Sequence, residues 1–156
     1  MKRRYARSGF TLVELLIVIA VIGILMSGML LSGSSATSSA RALSIVNDLR
    51  VMKQAVFLMY LDSMDHFDKE PSKFKELKPE EALAHYVDNP GRYESNRYGF
   101  AMSDSGRWYV FYNIGDTAGA SEIKASLSGR AKTDGLLEGA SGELYKSGEK
   151  VYMLAR

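Results

Sequence analysis

Glu14 is the residue whose setting calls for chemistry. It stands inside the apolar run Phe10-Thr-Leu-Val-Glu14-Leu-Leu-Ile-Val-Ile-Ala-Val-Ile-Gly-Ile-Leu25, which continues to about Leu31. A charged side chain at the centre of a membrane helix costs roughly 2.5–3.5 kcal/mol by insertion scales. Such a group wants a partner of opposite charge. A cut after Gly9 supplies one, because Phe10 then carries a free amine that is positive or partly so near neutral pH. Four positions of helix separate that amine from the carboxylate of its own chain. A neighbouring chain shifted by about one turn brings the two together. The chemistry on offer is an ion pair between copies, created by proteolysis.

No other constellation reads as a reaction centre. His66 and His85 lie 19 residues apart without ligand spacing around them. The chain has no phosphate-binding glycine loop, no paired-histidine metal motif and no cysteine nucleophile, and none of its serines sits in a nucleophile elbow. Asp116, Asp134, Glu138 and Glu143 are scattered and match no calcium-loop spacing. The expectation is a subunit, not an enzyme, with no cofactor and no metal.

The run Gly9-Phe10-Thr11-Leu12-Val13-Glu14-Leu15 and the apolar stretch to about Ser32 resemble the prepilin signature of type IV pilins and of the pseudopilins of type II secretion systems. The resemblance covers about a fifth of the chain, at its start. It implies that a prepilin peptidase cuts between Gly9 and Phe10 on the cytoplasmic side, and that the new N-terminus at Phe10 is N-methylated. It implies that Glu14 pairs with the Phe10 amine of an adjacent subunit during filament assembly. The implied partners are the peptidase and methyltransferase, other pilin or pseudopilin subunits, an inner-membrane assembly platform and the membrane itself. The implied location is the inner membrane, with the head outside, and then an extracytoplasmic filament. Many pilins carry a proline 22 residues into the mature chain, where this chain has Leu31, and many close a C-terminal loop with a disulfide. Both departures lean toward a minor pilin or pseudopilin.

Composition agrees with export. The net charge of +2 is set by Lys2, Arg3, Arg4 and Arg7 in a leader without acids. Removing that leader leaves 16 basic against 18 acidic residues, a net charge of −2. The basic balance is therefore no argument for nucleic-acid binding, and none is expected. Positive charge ahead of an apolar span does argue for a cytoplasmic leader. The absence of cysteine means that the exported part is held by packing alone.

The elements that position the motif follow from periodicity. Phe10 to Leu31 is 22 residues, long enough as a helix to span roughly 33 Å of bilayer. Gly23, Ser27 and Gly28 are small enough to admit close helix approach, or are simply tolerated there. From Ala40 to Met64 there is no Gly or Pro, and Leu43, Val46, Leu49, Met52, Val56 and Met59 recur at the spacing of one helix face. Asp48, Arg50, Lys53 and Asp62 fall largely off that stripe. A continuous helix over both segments would be roughly 80 Å long.

Asp65–Pro71 reads as a loop, Pro79–Tyr86 as a short helix and Asp88–Gly91 as a turn. Tyr98–Met102 and Arg107–Tyr112 flank Ser103-Asp104-Ser105-Gly106 as a hairpin, with Tyr98, Phe100 and Met102 on one face and Trp108, Val110 and Tyr112 on one face. Ser121–Gly129 reads as one short helix, Lys132–Gly142 as a glycine-rich loop, and Glu143–Lys146 with Glu149–Leu154 as a second hairpin. The expected fold class is α+β: a long N-terminal helix, transmembrane in its first half and amphipathic in its second, on an antiparallel sheet of about four strands. The expected divisions are a leader at 1–9, a transmembrane and filament-core helix at 10–31, its amphipathic continuation at 32–64 and a head at 65–156.

A rival reading is a secreted or membrane-tethered binding domain that never polymerises, with an ordinary signal peptide or anchor. Ser38-Ser39-Ala40 offers a small-residue cleavage pattern for it. The apolar run is longer than a usual signal core of about 7–15 residues, and a carboxylate near its start weakens it as a simple hydrophobic signal. The sequence does not separate a type IV pilus from a secretion or competence pseudopilus.

Overall fold

The computed structural model describes residues 9–63 and 71–156, leaving the side chains of residues 29–35 and 71 outside the description. The expected loop at Asp65–Pro71 and His66 therefore fall almost wholly outside the described residues. The chain divides into two compact units, Met1–Ala36 and Thr37–Arg156. The helix α1, Leu12–Asp62, runs through both. No proline interrupts it, and the serine-rich stretch after Leu31 stays helical rather than forming a linker.

In the first unit the described apolar side chains of α1 are exposed. Leu12, Val13, Leu15, Leu16, Ile17, Val18, Ile19, Val21, Ile22, Ile24, Leu25 and Met26 are exposed around the whole helix. A helix that is apolar all round is suited to a lipid or protein environment.

The second unit is α+β. A 3-10 turn at Pro71–Glu76 is followed by α2, Pro79–Ala82, with proline in its first turn, and by a second 3-10 turn at Pro90–Arg92. Strands β1, Tyr98–Met102, and β2, Trp108–Asn113, form the expected hairpin around the Ser103–Gly106 turn. Helix α3 runs from Ala120 to Asp134. It is longer than expected and buries Ile123, Leu127 and Ala131. It ends at Gly135, whose left-handed backbone suits glycine and lets its N–H donate to the Ala131 carbonyl.

Two strands complete the sheet, and here the sequence reading is corrected. The segment read as a loop from Lys132 holds the end of α3 and then β3, Leu136–Leu137. The segment read as a strand, Glu143–Lys146, contributes only an isolated bridge from Leu144 to Leu137. The last strand, β4, Lys150–Leu154, pairs with β2 on one side and β3 on the other. Sheet order is β1-β2-β4-β3, antiparallel throughout.

The core lies between α1 and one sheet face. Val46, Leu49, Met52, Val56 and Met59 of the predicted stripe are buried, whereas Leu43 at its upper end is 40% exposed. The sheet contributes Tyr98, Phe100, Trp108, Val110, Tyr112, Val151 and Met153. Phe74 stacks on Trp108 with ring centroids 4.3 Å apart, and Tyr60 of α1 meets Trp108 edge-on at 5.4 Å. The Arg156 guanidinium lies 3.5 Å over the Tyr60 ring and donates to its hydroxyl at 2.7 Å. These ring contacts fix the helix against the sheet.

Candidate functional site

The three residues singled out by their chemistry lie together at the start of α1. Gly9 and Phe10 are exposed and non-helical, and they precede the first helical residue, Leu12. A peptide bond there is free of the helical hydrogen-bond ladder. Thr11 occupies the position just before the helix. Its carbonyl accepts the first helical bond, from the Leu15 N–H at 3.3 Å.

Glu14 and Thr11 satisfy one another. The Thr11 backbone N–H donates to Glu14 Oε2 at 2.8 Å, and the Thr11 hydroxyl donates to the same oxygen at 2.9 Å. The Glu14 N–H donates back to Thr11 Oγ1 at 3.3 Å. This is a reciprocal capping box, in which two otherwise unpartnered N–H groups of a helix start are satisfied. It also places a negative group at the positive end of the helix. Both donors use Oε2, and Glu14 Oε1 accepts no hydrogen bond among the described residues. The role of Thr11 was missed in the motif, although Thr-x-x-Glu ahead of an apolar run is the signature that reveals it.

Farther along, the Ser27 hydroxyl donates to the Gly23 carbonyl at 2.9 Å, which hides its polarity against its own helix. A Cβ placed on Gly23 or Gly28 would meet nothing within 4 Å. Space at these positions is thus open to an approaching helix rather than required by the chain itself.

Residues 4–30 match the prokaryotic N-terminal methylation motif. It is the signature of type IV pilins and pseudopilins, structural proteins of a membrane-anchored type. No curated protein and no solved structure matches the chain. Among the described residues no helix is long and apolar enough to cross a membrane. The predicted span Phe10–Leu31 runs past Gly28 into residues whose side chains lie outside the description.

The remaining candidates are not brought together. His85 is exposed beside Leu58, Leu61 and Tyr86. Asp134 accepts from Arg50 at 2.7 Å and Arg130 at 2.9 Å, so it ties α1 to α3. Glu138 Oε2 accepts from the Lys146 N–H at 2.8 Å and the Ser147 N–H at 3.4 Å, which pins the turn before β4. Among the described residues no three metal-ligating side chains cluster. The small-residue pattern Ser38-Ser39-Ala40 lies within α1, with Ser38 buried, so a cut there would remove the start of the helical segment that carries the core.

Proposed function

We propose that this protein is a structural subunit of a type IV pilus-like filament, a minor pilin or a type II secretion pseudopilin. It is made with its leader in the cytoplasm, cut between Gly9 and Phe10, methylated on the Phe10 amine, and assembled through its N-terminal helix. The observation that carries this reading is the first part of α1: apolar on every side, exposed along its described length, and holding one carboxylate. Lipid covers such a helix first and the helices of other subunits cover it afterwards.

The capping box supports a division of labour within Glu14. Cleavage after Gly9 leaves the Thr11 N–H an ordinary amide, so the box survives processing. In this scheme Oε2 stays committed to Thr11, and Oε1 accepts from the Phe10 ammonium of a neighbour. The ion pair then removes the cost of a lone charge among apolar helices and fixes the axial offset between copies.

The test is the N-terminus of the protein purified from its host membranes. A mature chain beginning at Phe10 with one added methyl group is expected, and Gly9→Val should retain the leader. A chain beginning at Met1 or near Ala40 overturns the proposal. Glu14→Ala should insert and be cut normally yet be missing from filaments, as read by immunoblot of sheared filament fractions.

A further inference from the structure

A groove in the second unit carries positive charge that the chain leaves only partly answered. It measures about 430 Å³ and lies between α1, the Pro90–Arg92 turn, the starts of β1 and α3 and the end of β2. That volume falls within the roughly 300–1,000 Å³ of small-molecule sites. Three guanidiniums, from Arg41, Arg92 and Arg97, line it with one carboxylate, Asp48. Asp48 is taken by Arg92 at 2.9 Å and by the Tyr98 hydroxyl at 2.8 Å. Arg41 and Arg97 make no ion pair among the described residues. Arg41 donates to the Ala118 carbonyl at 2.9 Å, and Arg97 donates to the Tyr112 hydroxyl at 2.9 Å and Thr117 Oγ1 at 3.4 Å.

Those bonds hold the loop after β2, and they use few of the donors available. Each guanidinium carries five N–H donors in a planar fork. Two hydroxyls add to them. Ser44 accepts from Arg92 and Tyr112 accepts from Arg97, and neither has an acceptor for its own hydrogen among the described residues. The groove thus presents a net charge of about +2 with donors arriving from several directions. A carboxylate would satisfy one planar fork. A doubly charged tetrahedral oxyanion takes donors from several sides at once. Ile45, Ile123 and the Tyr98 and Tyr112 rings add apolar wall for an organic body. Glu94 and Asp116 stand near Arg97 but are not part of the groove lining.

We propose that this groove binds a phosphate-bearing ligand, held by Arg41 and Arg97 with the Ser44 and Tyr112 hydroxyls. The inference rests on the second unit alone and does not depend on filament assembly. The phosphate could belong to a soluble phosphomonoester or to a lipid headgroup, and two arms of one experiment separate these sources. In the first, the full chain in uncharged maltoside micelles is titrated with glycerol phosphate and followed by amide NMR shifts. Saturable shifts at millimolar ligand are expected in groove residues, with sodium chloride at matched ionic strength giving none. Arg41→Gln with Arg97→Gln should weaken binding about tenfold or more, the worth of one or two charge-assisted hydrogen bonds. A second variant, Tyr112→Phe, keeps the buried ring and should weaken binding severalfold, which guards against a misfolded double variant. In the second arm the chain sits in phosphatidylcholine nanodiscs with and without phosphatidic acid. Arginine-dependent shifts on adding phosphatidic acid assign the phosphate to a lipid, and shifts with glycerol phosphate alone assign it to a soluble ligand. Shifts in neither arm, equal shifts with chloride, or shifts unchanged in the arginine and tyrosine variants overturn the site.

Discussion

At the scale of single residues, Glu14 closes the helix start through Thr11 and is proposed to pair with a neighbour's Phe10 amine, and different substitutions separate the two. Gln at this position still accepts from the Thr11 N–H, so it keeps the helix start closed, but it carries no charge. Ala loses both. If the ion pair governs assembly, Glu14→Gln and Glu14→Ala should both be missing from filaments; if closing the helix start governs it, Gln should assemble and Ala should not. Quantifying both variants against the wild type in sheared filament fractions decides between them. Asp48 shows the limit of reading by spacing. It falls off the Val46–Leu49–Met52 stripe and reads as solvent-facing, yet it is 7% exposed. Its partner Tyr98 is 50 positions away, and no local pattern can announce that hydroxyl. Asp48→Ala should cost about 2–4 kcal/mol, because it leaves the buried Tyr98 hydroxyl without its acceptor. Arg92→Gln should cost less, about 1 kcal/mol or under, since the arginine is half exposed and its pair is screened. Urea midpoints at pH 7 check the order. Tyr145 gives a pH signature. Burial, with a smaller push from Glu138, raises its phenol to about 12, against about 10 in the unfolded chain. The unfolded state therefore releases this proton first. The contribution is complete below pH 10 and is lost as pH rises through 12, at about 1.4 kcal/mol per pH unit inside that window. Tyr145→Phe should flatten the alkaline fall in stability by that slope, as measured by urea melts between pH 9 and 12.

At the scale of elements, the parts with long regular patterns were legible and the parts built on one or two pairings were not. Helix α1 follows from periodicity and from the absence of Pro. The first hairpin follows from aromatic strands around Ser-Asp-Ser-Gly, and its register puts Tyr98 opposite Tyr112 and Phe100 opposite Val110, all on the core face. Strand β3 is two residues long, too short for any alternation to show. Its neighbours mislead for the same reason: Gly135 marks a helix end, and Glu143–Lys146 alternates like a strand while making a single bridge. The outer sheet face has its own requirement at Gly99. A Cβ there would stand 2.4 Å from the tip of the Phe111 ring, which covers the glycine and reaches Tyr152 at 5.4 Å. Gly99→Ala must push that ring aside and should cost about 1–2 kcal/mol. In a Phe111→Ala background the same change should be neutral or slightly stabilising, because the obstacle is gone and alanine restricts the unfolded chain more than glycine. A double-mutant cycle on urea midpoints reads the coupling directly. Equal costs in the two backgrounds would show that the ring is not what excludes a side chain at Gly99.

At the scale of the whole molecule, the residues that fold the protein and the residues proposed to assemble it are separate in sequence. Among the described residues, every buried core residue lies between Ala42 and Ala155, inside the unit Thr37–Arg156. The exposed apolar side chains from Phe10 to Met26 all lie in the other unit. Hydrophobic stabilisation of the fold therefore does not draw on the N-terminal run, since side chains left uncovered contribute nothing to it. The sequence shows this separation in outline: the first segment is apolar without a polar face, and the second has one. A chain that starts at Thr37 should consequently fold alone. It should give a single cooperative urea transition, stay monomeric without detergent, and match the full-length protein in midpoint to within a small shift from fraying at the new helix start. The full chain without its leader should need detergent or lipid to stay dispersed, because the described apolar side chains of its N-terminal helix are exposed. Sedimentation and urea melts of the two chains side by side make the comparison. A truncated chain that fails to fold would place part of the stabilising core before Thr37. A leaderless full chain that stays monomeric in plain buffer would remove the reason for that helix to seek lipid or other subunits.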